Sequence, residues 1–288
     1  QGFEIQTTWE KSIGDFYFRV NGNISRAINE VIFMDEIPPL EPYQSFTGHP
    51  LGSQFGYVWE GFYSEEEAQV IENERAAEDI NPEDYTYPIP EIVSEIGPGD
   101  MKYKDLNNDN IINDADQKVY GYPERPQIIG GINLDFAFKG FDLSVGLQGA
   151  SEVSRNLRNP VLQNFGGTDD RSLFLPNYEG YWTPERAENG TAEWPRLTFQ
   201  NATYNVLHST WRNRDASYIR MKRIELGYSF DNYDLSFAGI KSLRIYLRGN
   251  NLFTLKKEEM KWIDPERNPS QMEYPLVKFY AAGLNLSF

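Results

Sequence analysis

The chain has no cysteine among its 288 residues. That removes disulfides and thiolate metal sites, and with them any argument about compartment from redox chemistry. Histidine is nearly absent as well, with only His49 and His208. No nucleophile elbow, HExxH or phosphate-binding loop occurs, and scattered carboxylates in so acidic a chain do not mark a glycosidase pair. The sequence therefore points to no enzyme and no organic cofactor. No run of about 18 apolar residues exists, which excludes a transmembrane helix. Basic residues are in deficit, 27 against 43 acidic ones, and the resulting charge of -16 would repel nucleic-acid phosphates. Nor is there a signal peptide at Gln1, where the chain opens inside a strand-like pattern. A fragment, or a chain whose earlier part has been removed, is expected.

What the chain does contain is alternation. Phe3, Ile5, Thr7 and Trp9 oppose Glu4, Gln6, Thr8 and Glu10; after a turn in 11–15, Phe16, Phe18, Val20 and Ile24 oppose Tyr17, Arg19, Asn21 and Asn23. Successive strand residues face opposite ways, so each arm has one oily and one polar face. The pattern resumes from Gly131 to Phe138, turns at Lys139-Gly140, and continues from Phe141 to Gln148. A third hairpin pairs Ile224 to Phe230 with Leu243 to Arg248. The last stretch puts Leu284, Leu286 and Phe288 on one face against Ala281, Gly283, Asn285 and Ser287. Arms of about 9–11 residues are long enough to cross a bilayer when tilted. A mean hydropathy of -0.60 does not oppose this, because barrel strands are apolar only at every second residue.

Between the hairpins lie three long excursions, about 29–127, 151–216 and 256–275. The first holds one expected helix, with Ser64 as N-cap, Glu67 reaching back to it, and an end near Ala77. Connections thus alternate short and long. Short periplasmic turns and long extracellular loops produce that rhythm in an outer-membrane barrel, and its parity leaves Phe288 periplasmic. About seven membrane-length strands is an odd number, and an open sheet edge cannot face lipid, so the segment should belong to a larger barrel. The fold class is all-β, the C-terminal portion of a large antiparallel transmembrane β-barrel. The competing reading is a soluble or surface-anchored β-sandwich that binds glycans, which would need no detergent.

At this point specific motifs carry a resemblance. Gly2-Phe3-Glu4, Thr47-Gly48-His49-Pro50, Gly61-Phe62, Gly99-Asp100-Met101-Lys102-Tyr103-Lys104-Asp105 and Lys139-Gly140-Phe141-Asp142-Leu143 occur in that order. Trp194-Pro195-Arg196-Leu197, the run from Asp215 to Lys222, Glu225-Leu226-Gly227-Tyr228 and Asn250 to Thr254 follow. Asp264-Pro265-Glu266 and Tyr274-Pro275 close the series. Together they resemble the C-terminal half of SusC-type TonB-dependent transporters of Bacteroidetes outer membranes, with departures such as Met101 and Met221. The aromatic terminus resembles the signal read by barrel-insertion machinery. The resemblance implies import of oligosaccharides, sometimes peptides, with a SusD-like lipoprotein as a lid on the loops. It also implies outer-membrane lipid around the wall, and a TonB complex acting through a plug, earlier strands and a TonB box that would precede Gln1.

Three groups of residues are candidate sites. Counting Asp105 as position one, Asp105, Asn107, Asp109, Ile111 (through its carbonyl), Asn113 and Asp116 fall at calcium-loop spacing. Asn110 replaces the usual glycine at position six, and Asp116 the usual Glu at twelve. Either a structural Ca²⁺ staples an external loop here, or an Asx-rich turn closes without metal. Tyr57, Trp59, Tyr63, Tyr178, Tyr181, Trp182 and Trp194 are loop aromatics suited to stacking on sugar faces, or else to loop core and lid contact. Arg19, Glu225, Arg244 and Arg248 project into the lumen by parity, either to tune selectivity or to brace the wall with charge pairs.

Overall fold

The computed structural model describes residues 1–77, 80–157, 175–198, 204–230, 239–267 and 276–288. Its frame is one antiparallel sheet of seven long strands in simple meander order. They are β1 (Gly2–Ile13), β2 (Phe16–Ala27), β3 (Ile128–Phe138) and β4 (Phe141–Ser151), then β5 (Tyr218–Ser229), β6 (Ser242–Asn250) and β7 (Phe279–Ser287). A short strand, Thr254–Lys256, also pairs with β5 beyond the end of β6. The expected strands are all present, but several are longer than their alternation indicates. Lys11 and Arg26 break the apolar pattern while remaining paired, because strand tips beyond the hydrocarbon need no apolar face.

Two hairpins close through two-residue turns. Ile13 pairs with Phe16 across Gly14-Asp15, and Phe138 with Phe141 across Lys139-Gly140. Both Lys139 (φ 48°) and Gly140 (φ 86°) are left-handed, the conformation that lets a tight turn follow strand twist. The connection between β5 and β6 includes 231–238, outside the described residues, as do parts of the second and third long loops and Tyr274-Pro275. At the other end, Ser287 pairs with Ser242, so β7 finishes on the short-turn side.

Register aligns the alternation of separate strands into continuous rungs. One rung runs Trp9, Val20, Leu134, Val145, Ile224, Gly249, Tyr280; another runs Phe18, Phe136, Leu143, Leu226, Leu247, Ala282. Side chains on this face stand open: Leu226 is 50% exposed, and Leu247 and Leu284 are each 60%. A soluble sandwich would bury such a face against a second sheet. Here no second sheet lies on the wall among the described residues, and the apolar face is the outside of a barrel segment. Aromatic rings gather toward the short turns. Phe16 stacks with Phe136 (6.4 Å), and Phe141 meets Tyr228 at 4.6 Å, as in the aromatic girdle of a membrane barrel.

The opposite face carries the polar rungs and, at its far end, the packed long loops. A positive charge placed mid-wall on the apolar face should be costly. Leu247→Arg is expected to destabilise the assembled barrel by about 2–4 kcal/mol, measured by denaturant unfolding in lipid vesicles, whereas Leu247→Val should change little.

Candidate ligand-facing loop cap and inner wall

The described residues of the long loops fold into a cap with its own core. In the first loop Gln54–Tyr57 pairs with Gln117–Tyr120, Trp59–Phe62 with Met101–Tyr103, and Ile89–Pro90 runs parallel to Ile111–Ile112. Helix α1 (Glu65–Ala76) begins as its sequence indicates, with the Ser64 hydroxyl accepting from the Glu67 amide and the Glu67 carboxylate accepting from the Ser64 amide. Its acidic face is solvated, while Ala68 and Ile71 are buried against Tyr63, Met101 and Tyr103. Glu36 ties another turn by accepting from the Ser45 hydroxyl, the Phe46 amide and the Thr47 hydroxyl. Those bonds hold its carboxyl down at about 2.

The second loop docks directly on the first. Ser154–Asn156 pairs with Asn213–Asp215, and the Tyr57 amide donates to the His208 carbonyl at 2.8 Å. Gly56 makes that approach possible, since a Cβ there would lie 2.2 Å from the same carbonyl oxygen. A buried carboxylate then locks the two loops. Asp100 accepts from Arg196 at 2.7 and 2.9 Å, from the Asn205 amide group at 2.8 Å and from the Gly97 backbone at 2.9 Å. The third loop is clamped to β5. Arg220, buried, donates to Asp264 at 2.7 Å and to Glu266, and Lys222 donates to Glu266 at 2.8 Å. Register shifts between Gly146 and Leu147, leaving Lys222 as the extra residue of a bulge that re-aims its side chain. Burial alone would raise the Glu266 carboxyl, but Lys222, Tyr218 and Arg220 hold it below the usual range.

The cap sorts the seven loop aromatics. Tyr57, Tyr63 and Trp194 are core residues, Tyr57 donating to Asp114 at 3.2 Å and Trp194 packing edge-to-face on Trp211 at 5.2 Å. Trp59 is half-buried beside Phe62. Trp182 lies over Gly99, and Tyr181 carries the Arg186 guanidinium on its face at 4.4 Å. Tyr178 alone of the seven is largely exposed. Sequence inspection singled out neither Trp211 nor Trp262, although both join this assembly; the density of tryptophan in the loops was the available signal.

The Asp105–Asp116 loop is a set of nested turns. Asp105 accepts from the Asn108 and Asn110 amides, Asp109 from the Ile111 amide, and Asn113 from the Ala115 amide. Asn108 and Asn110 are both left-handed at φ 61°, so Asn110 takes the conformation that glycine usually supplies at position six. Asp116 is fully buried and accepts from the Leu106 and Asn113 amides at 2.7 and 2.9 Å. Burial and the charges of Asp105 and Asp109 raise its carboxyl.

On the inner wall, register brings Glu10, Arg19, Asp135, Ser144, Glu225 and Arg248 into one rung. Ser144 donates to Asp135 at 2.6 Å, Arg248 to Glu225 at 2.6 Å, and Arg244 to both Glu225 (2.8 Å) and Asp142 (2.9 Å). Arg19 lies 3.9 Å from Glu10. Of the lumen residues named from sequence, Arg19, Arg244 and Arg248 each pair with an acid on another strand, and Glu225 accepts from both Arg244 and Arg248.

Comparison with known proteins matches this architecture. No family model matches the chain. TonB-dependent receptor P3 of Formosa agariphila is 25% identical over 255 residues, covering 84% of this chain and 22% of that protein. TonB-dependent receptor P26 of the same organism is 30% identical over 211 residues (66% and 20%). TonB-dependent receptor SusC of Bacteroides thetaiotaomicron is 26% identical over 211 residues (70% and 19%). The resemblance to SusC-type TonB-dependent receptors holds. The SusC-like chain spans about a fifth of the length of these relatives. Its whole length also superimposes on 28% of a chain in the RagAB peptide importer in its open-open state, with a TM-score of 0.65 at 17% identity. For the closed-closed state the TM-score is 0.61 at 19% identity, over 29% of that chain. The shared fold is a segment of a transporter barrel.

In this SusC-like chain Asp100 is a fully buried acid paired with Arg196. Asp100→Ala leaves Arg196 without its buried partner, a change that costs about 3–5 kcal/mol. Hydrogen exchange in the full-length protein should show protection lost around 97–103 and 194–198, with β3 and β4 unchanged.

Proposed function

We propose that the chain supplies wall and loop cap to an outer-membrane importer of Bacteroidetes type, with its C-terminus on the periplasmic side. In this reading the SusC-like barrel takes up oligosaccharides, with peptides as the second cargo class. A SusD-like lipoprotein closes over the loops, and a TonB complex acts through a plug and earlier strands outside these 288 residues. The observation that carries the reading is the wall itself, seven paired strands with a lipid-facing apolar side, a charge-paired inner side and long loops folded at one end. Likeness to TonB-dependent receptors supports the import role, and likeness to the RagAB peptide importer keeps peptides in play.

Deletion of the gene encoding the full receptor is expected to abolish growth on one oligosaccharide class as sole carbon source. Uptake of the labelled sugar should stop when a protonophore collapses the inner-membrane gradient, and a surface lipoprotein should co-purify in mild detergent. Normal growth and uptake in the deletion strain across oligosaccharides and peptides would sink the importer reading.

We also propose a structural Ca²⁺ at the Asp105–Asp116 loop. The support is the calcium-loop spacing, the left-handed Asn110 and the second lone pair that each hydrogen-bonded carboxylate oxygen keeps, although among the described residues no three acidic side chains converge as a metal group. At a hundredfold excess over Kd, Ca²⁺ would add about 2.7 kcal/mol. Proteolysis of the cap in the full receptor should slow in Ca²⁺ relative to EDTA. Asp109→Asn should erase that difference; indifference of the wild type to EDTA would exclude the staple.

A further inference from the structure

The three long loops meet at a cleft of about 320 Å³, whose lining includes four of the six tryptophans: Trp59, Trp194, Trp211 and Trp262. Its floor is rigid. Trp194 and Trp211 are buried edge-to-face, and the Trp211 indole N–H donates to the Glu193 carbonyl at 3.3 Å. Its rim is polar and positioned. Lys261 Nζ donates to the Glu193 carboxylate at 3.0 Å and lies 3.6 Å from that of Glu258. Trp262 is 49% exposed at the same rim, although its neighbours Met260 and Ile263 pack inward.

We propose that this cleft is a glycan subsite holding one or two sugar rings of a neutral oligosaccharide; the proposal rests on the importer reading. A pyranose presents an apolar C–H face suited to an indole, and hydroxyls that both donate and accept. Glu193 and Glu258 accept those hydroxyls, and Lys261 donates to them. An apolar ligand would strip water from these charges without replacing its hydrogen bonds. An anion meets the carboxylates of Glu193, Glu258 and Glu259, and a cation meets Arg214 and Lys261. A neutral polyol escapes both repulsions. The volume lies at the small end of ligand pockets, which limits the subsite to a short stretch of chain. Because Trp194, Trp211 and Lys261 are already held by their neighbours, those groups need little ordering on binding.

The test uses the full receptor with whatever lipoprotein co-purifies, in detergent. Maltohexaose, xylohexaose, laminarihexaose and an alanine tetrapeptide serve as probes, read by titration calorimetry and tryptophan fluorescence. One hexasaccharide is expected to bind and shift the fluorescence. Trp262→Ala should weaken it about three- to tenfold, Lys261→Met should weaken it too, and Trp262→Phe should recover part of the loss. Unchanged affinity in both Trp262→Ala and Lys261→Met, with cellular sugar uptake intact, would overturn the subsite and leave the importer reading standing. Binding of the peptide with none of the hexasaccharides would overturn the ligand class alone. Absence of any uptake in cells would overturn both.

Discussion

Inside a hydrocarbon layer an unpaired peptide N–H or C=O costs several kcal/mol, so a chain crossing as strands must pair every residue it submerges. That requirement fixes the register of this wall, and register does the rest. Once Trp9 lies beside Val20 and Leu134 on the outside, Glu10 must lie beside Arg19 and Asp135 on the inside. A slip of one residue in any strand would send its carboxylates and guanidiniums into lipid and its leucines into the lumen. The charge pairs of the inner rungs add a second selection for the same register, since Arg244 and Arg248 meet Glu225 only when β5 and β6 are aligned as they are. Their arginines are 25–41% exposed, so the pairs add little net stability.

The loops solve a different problem. A connection of nearly a hundred residues, such as 29–127, would be costly to order if it stayed in contact with water along its length. Here the first and second loops share one core built from Ile71, Met101, Tyr103, Ile112, Leu157, Tyr204 and Trp211. Several of the cap's buried polar groups are paired: Asp100 with Arg196 and Asn205, Arg220 with Asp264 and Glu266, and Tyr103 with the Tyr204 carbonyl. The cap is attached to the wall by the strands that rise into it. Arg220 and Lys222 anchor the third loop from within β5, where the bulge turns Lys222 toward Glu266.

What could be read from the sequence follows from this division. The period-two alternation made each hairpin visible, and the order of motifs pointed to the family, because wall positions obey one local rule throughout. The capping box at Ser64 and Glu67 was legible for the same reason, as was the left-handed tolerance of Asn110. The cap was not legible. Asp100 and Arg196 are 96 residues apart, and nothing local joins them. Nor does spacing tell a buried loop aromatic from an exposed one, since loops have no period; Tyr63 and Tyr178 look alike in sequence and differ wholly in burial. Even so, the acids of Asp264-Pro265-Glu266 and the bases at Arg220 and Lys222 were both in view, and charge complementarity could have linked them, although no reading of the sequence did so.

A packed cap changes how such loops take part in recognition. Mobile loops would close over cargo only by surrendering side-chain and backbone entropy, which subtracts from affinity. Loops already tied by Asp100, Glu266 and the short strand pairs have met that cost in folding, so groups at their seams are held in place before anything arrives. The same ties limit how far one loop can move without the others: displacing the second loop breaks the Arg196–Asp100 pair, and displacing the third breaks the Arg220 junction. Movement of the described parts of the cap should therefore be the motion of a body, and not the separate flexing of its loops.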